Sequence, residues 1–242
     1  MNGEGHSMTA TDVLVPETNF GKWFVRTDMW VQRVLAVSFL EFDDLFDSKQ
    51  RFSRILDIGC GEGTAFALIE KHLRPQMLIG IDIDARAVRR AQDAARKCGC
   101  RAEVRVGDAA RLELPDSSMD LIVCHQTLHH LTNQRAAVRE LYRVLVPGGV
   151  LLCAESCRCF IESFWVRWLF RHPPEVQKSA GEYLELVRSV GFEFGSENYS
   201  TPYPAWSRPD FGLSELFGRS KPVNGEEPLI YVVAFRPCSV HT

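Results

Sequence analysis

The 242-residue chain has no dense tract of lysine or arginine, and its net charge is only −3 from 28 basic and 31 acidic residues. Nucleic-acid surfaces cluster their basic residues, so nucleic acid is not an expected partner. No apolar run approaches the roughly 18 residues of a membrane span, so no transmembrane segment is expected. Residues 1–16 lack the basic-then-apolar layout of a secretory leader. They read as a polar tail, flexible to about residue 18. Internal repeats and low-complexity tracts are absent. The eight cysteines also lack zinc-site spacing. Cys98-Gly99-Cys100 is too tight, and Cys153, Cys157 and Cys159 do not follow the C-x2-C pattern. No metal ligand set is expected. In a chain of this size without a leader, such thiols read as reduced, in a cytoplasmic protein.

What the chain does have is Leu56-Asp57-Ile58-Gly59-Cys60-Gly61-Glu62-Gly63. A short apolar run enters a glycine turn, and Thr64–Leu73 leaves it with helical character. Glycine permits positive φ and lets a ligand lie on bare backbone, and a helix N-terminus offers unpaired N–H groups. The dinucleotide pattern is G-x-G-x-x-G, but here the third glycine comes one residue early. Asp57 would repel a pyrophosphate and attract an amino group. S-Adenosylmethionine has an ammonium and a sulfonium and no phosphate, so it fits better than NAD.

Downstream, Met77–Ile81 is a second apolar run ending at Asp82, which stands 19 residues beyond Gly63. That is close to the offset of about 20 at which an acid grips ribose hydroxyls. Arg101–Val106 alternates like a strand before Gly107-Asp108-Ala109. Met119–Cys124 is a fourth strand leading into His125-Gln126-Thr127-Leu128-His129-His130-Leu131. A helix ends at Arg143–Gly149, and Val150–Ala154 is a fifth strand. Alternating strands and helices from about 54 to 156 predict an α/β, doubly wound, mostly parallel sheet with helices on both faces.

The stretches Asp57–Gly63, Gly80–Asp84, Gly107–Ala109, Asp120–Leu131 and Arg143–Gly149, in this order, resemble the class I S-adenosylmethionine-dependent methyltransferases. The likeness is to the small-molecule branch similar to quinone-biosynthesis and natural-product enzymes. It implies a Rossmann-like seven-stranded sheet closed by an antiparallel hairpin, for which 192–199 and 229–235 are the expected strands. It also implies S-adenosyl-L-methionine as cofactor, S-adenosyl-L-homocysteine as product, and contacts from Asp57, Gly59, Cys60, Gly61, Asp82, Ile83, Asp108, Ala109, Cys124, His125 and Gln126. The bland alternatives are a helix-capping Asp82 and a turn-forming Asp108.

Candidate catalytic residues are His125, with His129 as the fallback base; one of His129 and His130 reads as a buried structural group. Glu155 is expected at the cleft mouth. Residues 19–50 read as an N-terminal helical cap. Residues 51–242 read as the methyltransferase domain, with lid insertions at about 157–180 and 200–225. Both lids are aromatic-rich, which suits a flat or lipophilic small-molecule acceptor. Trp30, Tyr199, Tyr203 and Trp206 are the candidate acceptor contacts. Phe164–Arg171, where arginines interleave with aromatics, reads as a cap helix in preference to a membrane-surface helix. The run after the fourth strand is not the Asn-Pro-Pro-Tyr type expected of base-methylating enzymes. Two other functions remain open on sequence: a cofactor-binding partner subunit without turnover, and arsenite methylation through Cys153, Cys157 and Cys159.

Overall fold

Arg54–Ile58 (β1) is an apolar run whose Ile55, Leu56 and Ile58 are all buried. Near-continuous burial marks a central strand of a parallel sheet, covered on both faces. β1 lies between Met77–Asp82 (β2) and Met119–His125 (β4), parallel to both. Arg101–Val106 (β3) adds to β2 as an edge, and its exposed Arg101 and Arg105 both pair with Glu103. Charges on an edge strand discourage pairing with another chain. Leu145–Ser156 (β5) lies parallel to β4, Leu229–Phe235 (β7) runs antiparallel to β5, and Tyr199–Ser200 (β6) closes the sheet. The order is β3-β2-β1-β4-β5-β7-β6. This computed structural model describes residues 18–46, 50–204, 207 and 227–238.

Alternation along the strands sorts side chains into two cores. Leu56, Ile58, Ile122 and Cys124 pack toward Gln134–Val144 (α6) and Ala180–Val190 (α9). Ile55, Leu78, Leu121 and Val123 pack with Ala36–Leu45 (α3), Phe66–Leu73 (α4) and Ala91 of Ala85–Ala95 (α5). Helix α9 starts at a capping box, Ser179 with Glu182, and stops at Gly191 with φ +113°. Asn19–Phe24 (α1) and Asp28–Trp30 (α2) precede a π-helical turn, Val31–Leu35, that runs into α3. Past β5 come two short helices, Arg158–Ile161 (α7) and Phe164–Leu169 (α8).

The expected sheet, helix placement and closing hairpin are present, but the strand expected over 192–199 is not continuous. Glu193 makes only an isolated bridge to Phe235, and a 3-10 turn at Ser196–Asn198 interrupts the run before β6. Asn198 Oδ1 accepts from Gly195 N–H and folds the chain there, so the ladder cannot continue. The tail 1–17 and most of the lid expected at 200–225, with Trp206, lie outside the described residues. Among the described residues no helix is long and apolar enough to cross a membrane.

Candidate active site

The strand order reverses between β1 and β4, since β2 lies to one side of β1 and β4 to the other. Ligands of open α/β sheets bind beyond the carboxyl ends at such a point. A cavity of about 890 Å³ opens there, lined on one side by Asp57, Gly59, Cys60 and Gly61 and on the other by aromatic side chains.

The glycine turn is held by its own backbone. Gly59 and Cys60 N–H both donate to Ile81 O, and Gly61 N–H donates to Asp82 Oδ2 at 2.8 Å. Gly59 has φ +70°, and a Cβ there would stand 2.2 Å from Thr127 Oγ1, so no other residue fits. Gly61 also has positive φ, but a Cβ there would meet nothing within 4 Å. Its open side faces the cavity, where a ligand can lie against the chain.

Asp57 is 3% exposed, and its Oδ2 has no hydrogen-bond partner among the described residues. Burial, and then the neighbouring Asp82, push its carboxyl up to about 8. A buried, unpartnered carboxylate is costly, and a cationic ligand group at the cavity wall would relieve it. Gln126 presents a second unmet need. It holds φ +53°, an uncommon conformation for a non-glycine residue. Its Oε1 accepts from Ser156 Oγ at 2.6 Å, while its Nε2 donor is buried without a partner. A carboxamide donor without a partner and a carboxylate able to meet a ligand ammonium thus flank one groove. This donor set fits the amino-acid end of S-adenosylmethionine. Asp57, Gly61 and Gln126 would hold it.

Asp82 ends β2 beside this groove but is absent from the cavity wall, and its Oδ1 accepts from Asp84 N–H. Ile83 follows it at the same strand end. Asp108 Oδ1 accepts from Ala110 N–H, a turn contact, and Gly107 N–H donates to Asp82 O. These residues, with Ala109, group at the carboxyl edge of β2 and β3, next to Gly61. Cys124 is turned the other way. Its thiol lies in the core, 3.8 Å from Glu155 Oε1.

The two candidate bases are brought together. His125 and His129 both line the cavity and both are buried. His125 Nε2 lies 2.9 Å from Ser38 Oγ, which also donates to Val34 O and contacts Tyr231 OH. Burial pushes His125 down to about 4. His129 is pushed down to about 3 by burial and then by His125. Both imidazoles are therefore neutral at neutral pH.

Glu155 is not at the cleft mouth. It is wholly buried beneath the turn after β4, and desolvation pushes it up to about 7. Thr127 and Leu128 N–H donate to its Oε1 at 2.9 and 2.7 Å, and His129 Nδ1 meets its Oε2 at 2.6 Å. It needs these partners because a buried carboxylate without donors would be prohibitive.

The acceptor contacts divide. Trp30 lines the cavity with its ring edge-on to His125. Tyr199 packs against Phe194 at the edge of the sheet, away from the cavity wall, because β6 is the outermost strand. Tyr203 is also off the wall. The aromatic lining comes instead from Phe24 of α1, Phe160 of α7, Trp165 of α8 and Phe170. The thiolate set considered for arsenite does not assemble among the described residues. Cys153 neighbours Cys124 and Glu155, and the three sulfurs of Cys153, Cys157 and Cys159 form no common cluster.

Residues 56–153 match the family model described as a methyltransferase domain. The chain is 36% identical over 147 residues to a probable S-adenosylmethionine-dependent methyltransferase of Mycolicibacterium smegmatis, covering 57% of this chain and 51% of that one. It is 38% identical over 165 residues to 27-O-demethylrifamycin SV methyltransferase of Amycolatopsis mediterranei, covering 64% and 60%. The chain thus spans less than two thirds of either relative. Among solved structures, the [4+2]-cyclase SpnF superposes with a TM-score of 0.63 at 23% identity, over 88% of this chain and 85% of that one, which is a likeness of fold. Residues 56–153 thus carry a methyltransferase domain, and the relatives this chain is similar to are S-adenosylmethionine-dependent methyltransferases.

Proposed function

We propose that this chain transfers a methyl group from S-adenosylmethionine to a small, largely apolar, partly aromatic acceptor, inside a cytoplasmic protein. One observation carries the reading. One cavity is lined both by Asp57, Gly61 and Gln126 and by Trp30, Phe24, Phe160, Trp165 and Phe170. A 27-O-demethylrifamycin SV methyltransferase among the relatives agrees with an acceptor of that character.

When bound, S-adenosylmethionine supplies an electrophilic methyl on a positively charged sulfur. The chain's own task is alignment and exclusion of water, which can contribute much of the rate. Asp57 holds the ammonium and Gln126 Nε2 the carboxylate. The aromatic wall holds the acceptor by area and shape. His125 and His129 are weak bases in their buried state. His125 serves by accepting a hydrogen bond from an acceptor hydroxyl and orienting its lone pair. Ser38 fixes the His125 ring, and Glu155 fixes His129.

The test is incubation with methyl-labelled S-adenosylmethionine and fractionated organic-soluble metabolites. Label entering an organic-soluble product is expected. Binding of S-adenosylhomocysteine with no transfer to any fraction would instead favour a partner subunit without turnover.

A further inference from the structure

The aromatic end of the cavity contains three histidines from two separate segments. His129 and His130 follow β4, and His172 follows α8. All three line the cavity. One ring nitrogen from each lies within 4.8 Å of the other two. Ring centroids stand 4.2 Å apart for His129 and His130, 5.1 Å for His129 and His172, and 4.8 Å for His130 and His172. Tetrahedral ligands on zinc stand about 3.4 Å apart, given metal–nitrogen bonds near 2.0–2.1 Å. Modest imidazole rotations, along a broad torsion, bring the set to that spacing.

The surroundings are those of a built site. His129 Nδ1 is taken by Glu155 Oε2 at 2.6 Å, so its Nε2 is the nitrogen left for a ligand. A carboxylate on the far nitrogen is the usual device that fixes and strengthens a metal-bound imidazole. Gln177 Nε2 donates to both His129 O and Pro173 O, at 2.9 and 2.7 Å, and so clamps the two histidine-bearing segments together. Among the described residues the rings of His130 and His172 make ring contacts but no hydrogen bond.

We propose that His129, His130 and His172 bind a divalent cation of the zinc class, with the remaining coordination position open to the cavity. Three imidazole nitrogen ligands plus one open position is the donor set of reactive zinc sites and not of closed structural ones. The open position would take an oxygen of the acceptor, an assignment that rests on the methyl-transfer reading of the cavity. The site also ties the α8 lid to the sheet, since His172 belongs to the lid segment and His129 to the core.

The test uses the full chain without an affinity tag, stripped by chelator and titrated with Co²⁺ and then Zn²⁺. The expected result is one equivalent of cobalt, with the visible bands of four-coordinate nitrogen ligation, displaced by zinc. His172→Ala and His130→Ala should each weaken binding on the order of a hundredfold, and Glu155→Gln by about 10–100-fold. His172→Gln repeats the reading if the alanine form melts early. Cys124→Ser should leave cobalt binding intact, because Cys124 is not among the three histidine ligands. No saturable binding overturns the proposal, as does binding that survives loss of His172 and His130. S-Adenosylhomocysteine affinity is measured on the same samples. A chain that binds it but no metal loses the metal site alone, and one that binds metal but not it loses the methyl-transfer reading.

Discussion

Asp57 is where a single side chain trades stability for binding. Its carboxyl sits at about 8 in the folded chain, against 3.8 as the ordinary value. The folded state therefore keeps a proton that the unfolded state has lost between about pH 4 and pH 8. By linkage, this group's contribution to stability falls as pH rises through that window. Binding of a ligand ammonium needs the charged form. Affinity for S-adenosylhomocysteine should rise from pH 6 to pH 8, by up to about tenfold per unit. Calorimetric titration across that range checks it, and a flat profile would contradict the pairing of Asp57 with the ammonium. Asp57→Asn should bind weakly, show no such slope, and melt higher than the parent at pH 8 in the absence of ligand. Asp57 and the glycines were legible in the sequence because backbone geometry is local. Gly59 needs positive φ, and its chain neighbours show that need. The placement of the Cys124 side chain was not legible, for the opposite reason. A position next to a functional strand end does not say which face the side chain takes, and strand alternation sends this one to the core.

At the scale of elements, the turn after β4 is shaped by a residue on the neighbouring strand. Glu155 on β5 accepts from two successive amides and from the His129 ring. Glu155→Ala leaves these donors buried and unpaired. The expected cost is about 3 kcal/mol or more, or a fall of about 10 °C in Tm for a chain of this size. His129 and Gln126 should shift with the turn. Thermal melts, with S-adenosylhomocysteine affinity on the same protein, check both. A variant that melts like the parent would show that the turn holds itself. Sequence periodicity was sufficient for β1 to β5 and for α4 and α6, because alternation and the 3.6-residue pattern belong to each segment alone. It failed at 192–199, where the Gly195 to Asn198 turn interrupts a strand-like stretch. It also failed for Glu155 and His172, whose roles depend on partners from distant segments that only the folded sheet brings near.

For the whole molecule, the cavity is closed by two segments from opposite sides of the chain's central sheet region. Phe20 and Phe24 of α1 meet Phe170, beyond α8, at ring distances of 5.6 and 5.7 Å, and Thr18 Oγ1 donates to Leu169 O. Trp30 continues the same wall inward from Phe24. The aromatic mouth and the Asp57 groove are therefore parts of one cavity wall built by different elements. Phe24→Ala and Phe170→Ala should disturb the first and spare the second. Each removes an aromatic contact surface worth roughly 1.5–3 kcal/mol, about tenfold or more in affinity for an apolar occupant. An environment-sensitive naphthalene dye reports on that end, and S-adenosylhomocysteine reports on the other. Dye affinity should fall by about tenfold in each variant, while S-adenosylhomocysteine affinity stays within about twofold. Because Phe24 and Phe170 touch, the double variant should lose less than the sum of the singles, with a coupling of about 0.5–1.5 kcal/mol. If S-adenosylhomocysteine binding collapses along with the dye, the aromatic mouth belongs to the cofactor seat, and the separate acceptor chamber does not exist.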